Sequence, residues 1–146
     1  MKSVKVADYM STRLITFNRT DSVVEAMAVL LKKKISGAPV VDDEGNLIGI
    51  LSEKDLMAVV IQDSYYDEGV GIVGDYMREE VDTVDPDSDI YSLADRFHKE
   101  GRRRFPVVKN GRLVGQISRR DVLRAAEEFL MHADGLSERK RRKLLT

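Results

Sequence analysis

The chain repeats itself. Val6-Ala7-Asp8-Tyr9-Met10 returns as Val73-Gly74-Asp75-Tyr76-Met77 at an offset of 67 residues, which also carries Thr16 to Thr83 and Pro39-Val40-Val41 to Pro106-Val107-Val108. After a one-residue deletion in a turn the offset is 66, and it pairs Gly45 with Gly111, Gly49 with Gly115, Ser52 with Ser118 and Asp55 with Asp121. Two copies of this length indicate a duplicated domain, because solenoid repeats are shorter and more numerous. A unit of about 60 residues buries only ~60% of the surface its unfolded chain exposes, so the two copies are expected to pack on each other. That packing implies a pseudo-twofold axis with matching clefts on either side.

Within each copy the hydrophobic period predicts strand, helix, strand, strand, helix, an α+β unit. Thr20-Asp21-Ser22 followed by Glu25 has the spacing of a helix start, and Val23, Met27, Leu30 and Leu31 share a helical face. Pro86-Asp87-Ser88-Asp89 opens the equivalent helix, with Ile90, Leu93, Ala94 and Phe97 on one face. Two short β runs follow, Ala38 to Val41 and Leu47 to Leu51 in the first copy, joined by the turn-forming residues 42–46. The second copy uses Asn110-Gly111, a dipeptide suited to a tight antiparallel hairpin. The closing helices carry Leu56, Val59 and Val60, and then Val122, Leu123, Ala126, Phe129 and Leu130. The expected boundaries are 4–61 and 71–130 for the copies, 62–70 for a linker and 131–146 for a basic C-terminal tail.

Composition narrows the function classes. The 146 residues carry a net charge of -1, which supplies no overall field for nucleic acid or an anionic membrane. With no cysteine there is no disulfide, thiolate metal site or cysteine nucleophile. No apolar run approaches the ~18 to 20 residues of a bilayer span and no secretory signal opens the chain, so a cytoplasmic protein is expected. His98 and His132 do not form a zinc pattern, and no metal site is expected. The acidic stretch from Glu79 to Asp89 reads as a solvated loop, with Mg²⁺ relevant only as the companion of a triphosphate. Five basic residues between Arg139 and Lys143 read as a charged, loosely ordered tail in preference to a contact for nucleic acid, an acidic partner or lipid.

The sharpest repeated element runs from Leu47 to Asp55 and again from Leu113 to Asp121, a strand entering a helix through Ser-x-x-Asp. Its glycine admits backbone or ligand at close range. The serine can cap free N–H groups or meet a phosphate there, and the aspartate can serve the same helix end or accept from ribose hydroxyls. These residues, with the aspartate-Tyr-Met start, the threonine before a capped helix and the Pro-Val-Val strand, resemble the cystathionine-β-synthase (CBS) domain. The tandem resembles a CBS pair, or Bateman module, in a stand-alone CBS domain protein.

The resemblance implies two β-α-β-β-α repeats about a pseudo-twofold axis, a flat homodimer, and an adenosine nucleotide (AMP, ADP, ATP or an S-adenosyl compound) as regulatory ligand. It further implies Asp55 and Asp121 on ribose hydroxyls, Ser52 and Ser118 by ribose or phosphate, and Thr16 and Thr83 by the adenine. Before the shared proline, Gly37 and Ala38 of the first copy stand against Arg103, Arg104 and Phe105 of the second. Arg103 and Arg104 occupy places where the family carries phosphate-contacting basic residues, and a guanidinium pairs well with phosphate. The expectation is one stronger phosphate site combining Asp55 with Arg103 and Arg104, and a weaker one at Asp121. The leading expectation is therefore a non-catalytic nucleotide sensor acting on an unidentified regulated protein. The alternative is a structural adaptor that binds protein or nucleic acid through its helices and basic tail. IMP dehydrogenase, which carries such a pair, needs a separate barrel and a catalytic cysteine, and no nucleophile–base constellation stands here in their place.

Overall fold

The computed structural model describes residues 3–66, 70–135 and 137–146. The first copy opens with a 3₁₀ turn at Val6–Asp8, followed by β1 (Phe17–Asn18), α1 (Val23–Lys33), β2 (Gly37–Val41), β3 (Leu47–Ser52) and α2 (Glu53–Tyr66). The second opens with a 3₁₀ turn at Val73–Asp75 and continues as α3 (Ile90–Glu100), β4 (Arg104–Lys109), β5 (Arg112–Ser118) and α4 (Arg119–Ala133). The counterpart of β1 is reduced to one parallel bridge between Val84 and Val107, where β1 pairs Phe17 with Val40. The fold is α+β, and none of the described helices is long and apolar enough to cross a membrane.

Local chemistry sets the element ends. Ser22 caps α1 by accepting from the Glu25 N–H, and Asp89 caps α3 by accepting from the Ser92 N–H at 2.8 Å. The bonds from the backbone N–H and hydroxyl of Ser92 hold the Asp89 carboxyl below its ordinary value of 3.8. Asn110 and Gly111 both adopt positive φ, 52° and 83°, as the tight hairpin turn requires.

Three expectations change. Helix α2 runs through Tyr66, so 62–66 of the expected linker are helical, while 67–69 lie outside the described residues. The basic tail contains a helix, α5 (Glu138–Leu145), capped by Ser137 and supported by contacts of Glu138 with Arg141 and Arg142 one turn on. Leu31, Val60, Leu123 and Leu130, expected to face the core, are exposed, while Ala26 and Ala125 are buried. Each helix therefore buries a narrower stripe than its apolar residues suggest.

The copies are joined by an exchange of their opening segments. Val6 is fully buried in the core of the second copy, among Leu93, Phe105 and Ile117. Val73 is fully buried in the core of the first, among Leu30, Val40 and Leu51. Backbone bonds repeat the exchange in both directions. The Val73 N–H donates to the Asp21 carbonyl and the Val6 N–H to the Ser88 carbonyl, each at 2.9 Å. Ile50 and Arg78 exchange a pair of backbone bonds, and Gln116 and Ser11 do the same. At the axis the hairpin turns also pair, Leu47 donating to Gly111 and Leu113 to Gly45, each at 3.0 Å.

This exchange explains the repeated glycine. A Cβ on Gly49 would lie 2.9 Å from the Arg78 carbonyl oxygen, and one on Gly115 would lie 2.9 Å from the Ser11 oxygen and 2.5 Å from Met10 Sδ. The close approach that the sequence required is made by backbone. Gly115→Ala should therefore lower folding stability by about 1–3 kcal/mol through overpacking at the repeat junction, read from the midpoint of urea denaturation.

Candidate functional site

Strand register builds the site. In the second copy β4 and β5 are antiparallel with Arg104 directly opposite Ser118 and Phe105 opposite Ile117. Residues directly opposite one another share a sheet face, and successive residues alternate between faces. Phe105 and Ile117 are fully buried, so Arg104, Ser118 and Gln116 lie on the other face. In the first copy the residue opposite Ser52 is Gly37, which has no side chain to offer.

Arg104 is the cross-strand neighbour of Ser118, and among the described residues the charged contact of Asp55 is Arg78, with Nε 3.8 Å from Oδ1. Arg103 is exposed, and its carbonyl accepts from the Arg119 N–H at 3.0 Å, joining it to the start of α4. Two further positions are placed where their side chains serve packing. Phe105 packs against Phe97 with the rings tilted at 48° and their centroids 4.9 Å apart inside the core, and Ala38 is buried under the first sheet. Either could meet a ligand only through backbone. Thr16 is exposed just before β1, and the Thr83 carbonyl accepts from Arg96 Nη1.

Both Ser-x-x-Asp elements act as reciprocal helix caps. Asp55 Oδ2 accepts from the Ser52 N–H at 2.9 Å and from its hydroxyl at 2.8 Å, while Ser52 Oγ accepts from the Asp55 N–H. Asp121 Oδ2 accepts from the Ser118 N–H at 2.8 Å, and Ser118 Oγ accepts from the Asp121 N–H. The second carboxylate oxygen is turned to a cation in each copy, Arg78 for Asp55 and Arg124 for Asp121, the latter at 2.6 Å. Capping uses one oxygen of each aspartate and leaves the other to solvent-side partners.

Between the copies lies a cavity of about 130 Å³ whose lining includes Arg13, Ile15, Ile35 and Gly37 of the first copy and Arg104 and Gln116 of the second. It is smaller than the ~300 Å³ that encloses a complete small ligand, so a larger molecule seated there keeps part of its surface in water. Arg104 spans the two copies, donating from Nη2 to Ser36 Oγ at 3.3 Å. Arg13, Ile15, Ile35 and Gln116 were not singled out from sequence. Their only signal was position, since they flank Thr16, the Ser36-Gly37 step and Ser118, and only the fold brings them to one wall.

Residues 6–62 and 73–128 each match the CBS domain. The chain is a tandem pair of CBS domains. The pair resembles the solved structure of CBSX2 in complex with AMP, at 32% identity and a TM-score of 0.75, over 87% of this chain and 98% of that one. It also resembles the CBS domain pair of MJ0100 in complex with 5'-methylthioadenosine and S-adenosyl-L-methionine, at 27% identity and a TM-score of 0.67, covering 85% of this chain and 96% of that one. An A-adding tRNA nucleotidyltransferase of Aquifex aeolicus is 33% identical across 87% of this chain, which spans only 15% of that enzyme. A similar segment is therefore a small part of a longer chain in that enzyme.

The capping geometry has a measurable consequence without any ligand. Ser52→Ala and Ser118→Ala should each lower stability by about 1 kcal/mol in urea denaturation of the ligand-free protein.

Proposed function

We propose that this CBS pair is a regulatory module that senses an adenosine compound in the cleft between its repeats and catalyses no reaction on it. The observation that carries this reading is Arg104, which stands opposite Ser118 on one sheet face and lines a cavity shared by both repeats. A guanidinium beside a helix start offers paired, charge-assisted bonds to a phosphate, and the neighbouring carboxylate oxygen offers an acceptor to sugar hydroxyls. The related pairs bound to AMP, and to 5'-methylthioadenosine and S-adenosyl-L-methionine, support an adenosine group as the shared recognition element.

In this reading Asp121 and Asp55 accept from ribose hydroxyls through the oxygens now facing Arg124 and Arg78. Ser118 and Ser52 lie by ribose or phosphate, Thr16 and Thr83 border the base, and Gly37, Ala38 and Phe105 contribute backbone. Arg103 and Arg104 serve the phosphates. Mg²⁺ enters only as the companion of ATP. The ligand acts on a regulated protein by binding two conformational states unequally, which is the condition for any ligand-driven change.

Thermal melts and calorimetry with AMP, ADP, ATP, adenosine, 5'-methylthioadenosine and S-adenosylmethionine test the reading. A ligand at 100 times its dissociation constant should add ~2.7 kcal/mol of stability, and the nucleotide should be recovered unchanged. No response to any of the six would favour the adaptor reading.

The same proposal includes a homodimer. Val24, Leu31, Met57, Val60 and Ile61 of α1 and α2 are more than half exposed or close to it, at 50%, 69%, 56%, 52% and 56%. Between those helices lies an apolar cavity of about 240 Å³ lined by Met27, Leu30, Leu31, Leu56, Met57 and Val60, with Glu53 at its edge. Light scattering should report twice the 16.5 kDa chain mass for the wild type and a single chain for Met57→Glu.

A further inference from the structure

The two clefts beside the pseudo-twofold axis are matched in backbone and mismatched in side chains. The Ser11–Gln116 pair of backbone bonds on one side has its counterpart in the Arg78–Ile50 pair on the other. Carrying the cavity's lining through the repeat offsets gives the chemistry of the opposite cleft. Ser11 becomes Arg78, Arg13 becomes Glu80, Ile15 becomes Asp82, Ile35 becomes Arg102 and Gln116 becomes Ile50, Leu14 stays apolar as Val81, and Gly37 and Arg104 exchange with each other.

Three of these replacements, Glu80, Asp82 and Arg102, act against an aromatic base carrying a phosphate. Ile15 and Ile35 are half-buried apolar walls packed against the first core. Their counterparts Asp82 and Arg102 form an ion pair with each other, and Arg102 also lies 3.8 Å from Glu100. A base entering there would have to separate these charges or strip them of water, which is costly without replacement partners. At the anionic end, Arg13 and Arg104 line the first cleft, and neither is in ion-pair contact with a carboxylate among the described residues. The opposite cleft has Glu80 in Arg13's place, next to Glu79. A phosphate would meet the like charge of Glu80 there, and the cation added on that side, Arg78 in Ser11's place, is already turned to Asp55.

We infer that only the cleft lined by Arg13, Ile15, Ile35 and Arg104 takes the ligand, one molecule per chain, and that Arg13 and Arg104 select a nucleoside bearing a phosphate. This rests on the adenosine reading above and adds to it which cleft is used, how many ligands bind and which residue discriminates. It places the phosphate site on the Ser118–Asp121 side. Arg13 becomes a specificity-determining residue that no repeated motif contains.

Calorimetry on the full chain decides the matter, with AMP and adenosine titrated into the wild type and into Arg13→Ala. Arg13 is exposed, so its truncation leaves the cores intact. The expected result is one AMP per chain, with affinity falling about tenfold or more in Arg13→Ala while adenosine affinity changes by less than about twofold. Two AMP molecules per chain would overturn the inference and leave the sensing function standing, as would equal losses for AMP and adenosine. Wild-type protein that binds neither AMP nor adenosine would overturn this inference, and the function falls with it only where ADP, ATP, 5'-methylthioadenosine and S-adenosylmethionine also fail to bind.

Discussion

The reciprocal burial of Val6 and Val73 holds the rest of the molecule in place. Each valine is the apolar plug of the other copy's core, delivered by a segment that continues into backbone pairing at Gly49 or Gly115. Neither copy can leave the other without opening both cores, and units of about 60 residues have little stability to spare. The cleft walls thus inherit their spacing from main-chain hydrogen bonds and from the missing Cβ atoms of two glycines. Polar side chains add to this only a few contacts between the copies, among them Arg104 with Ser36, Arg78 with Asp55 and Arg19 with Glu79.

That division explains what sequence could and could not reveal. The duplication, the helix starts at Ser22 and Asp89 and the Asn110-Gly111 turn are local or repeated signals, and the structure reproduces them. The helix faces were read too broadly because an apolar residue gives no sign of whether it meets this chain's core or the outside, and Leu31 and Val60 face outward. The C-terminal run was read as loose because its charges dominate, although Ser137 and the Glu138–Arg142 spacing are local helix signals that composition masked. The cross-strand neighbour of Arg104 is hidden in the sequence for a different reason. Pairing it with Ser118 depends on the register of β4 with β5, and a cross-strand neighbour is not visible from motif spacing.

A motif shared by both copies has a structural meaning in this pair. Positions that are identical in the two copies perform tasks that the pseudo-twofold backbone imposes on both sides. Gly49 and Gly115 admit the exchanged strand, and Ser52 with Asp55, like Ser118 with Asp121, closes the first turn of a helix. Capping alone is a sufficient reason for a serine and an aspartate at those places. The positions that differ, Arg13 against Glu80, Ile15 against Asp82 and Ile35 against Arg102, have no such task in common, because they line clefts whose shape is already fixed by the main chain. On the inference drawn above, recognition in this pair rests where the copies disagree. The repeated Ser-x-x-Asp leaves one carboxylate oxygen beyond its cap on each side, and the unrepeated residues around it are the ones proposed to decide which cleft a phosphorylated ligand enters.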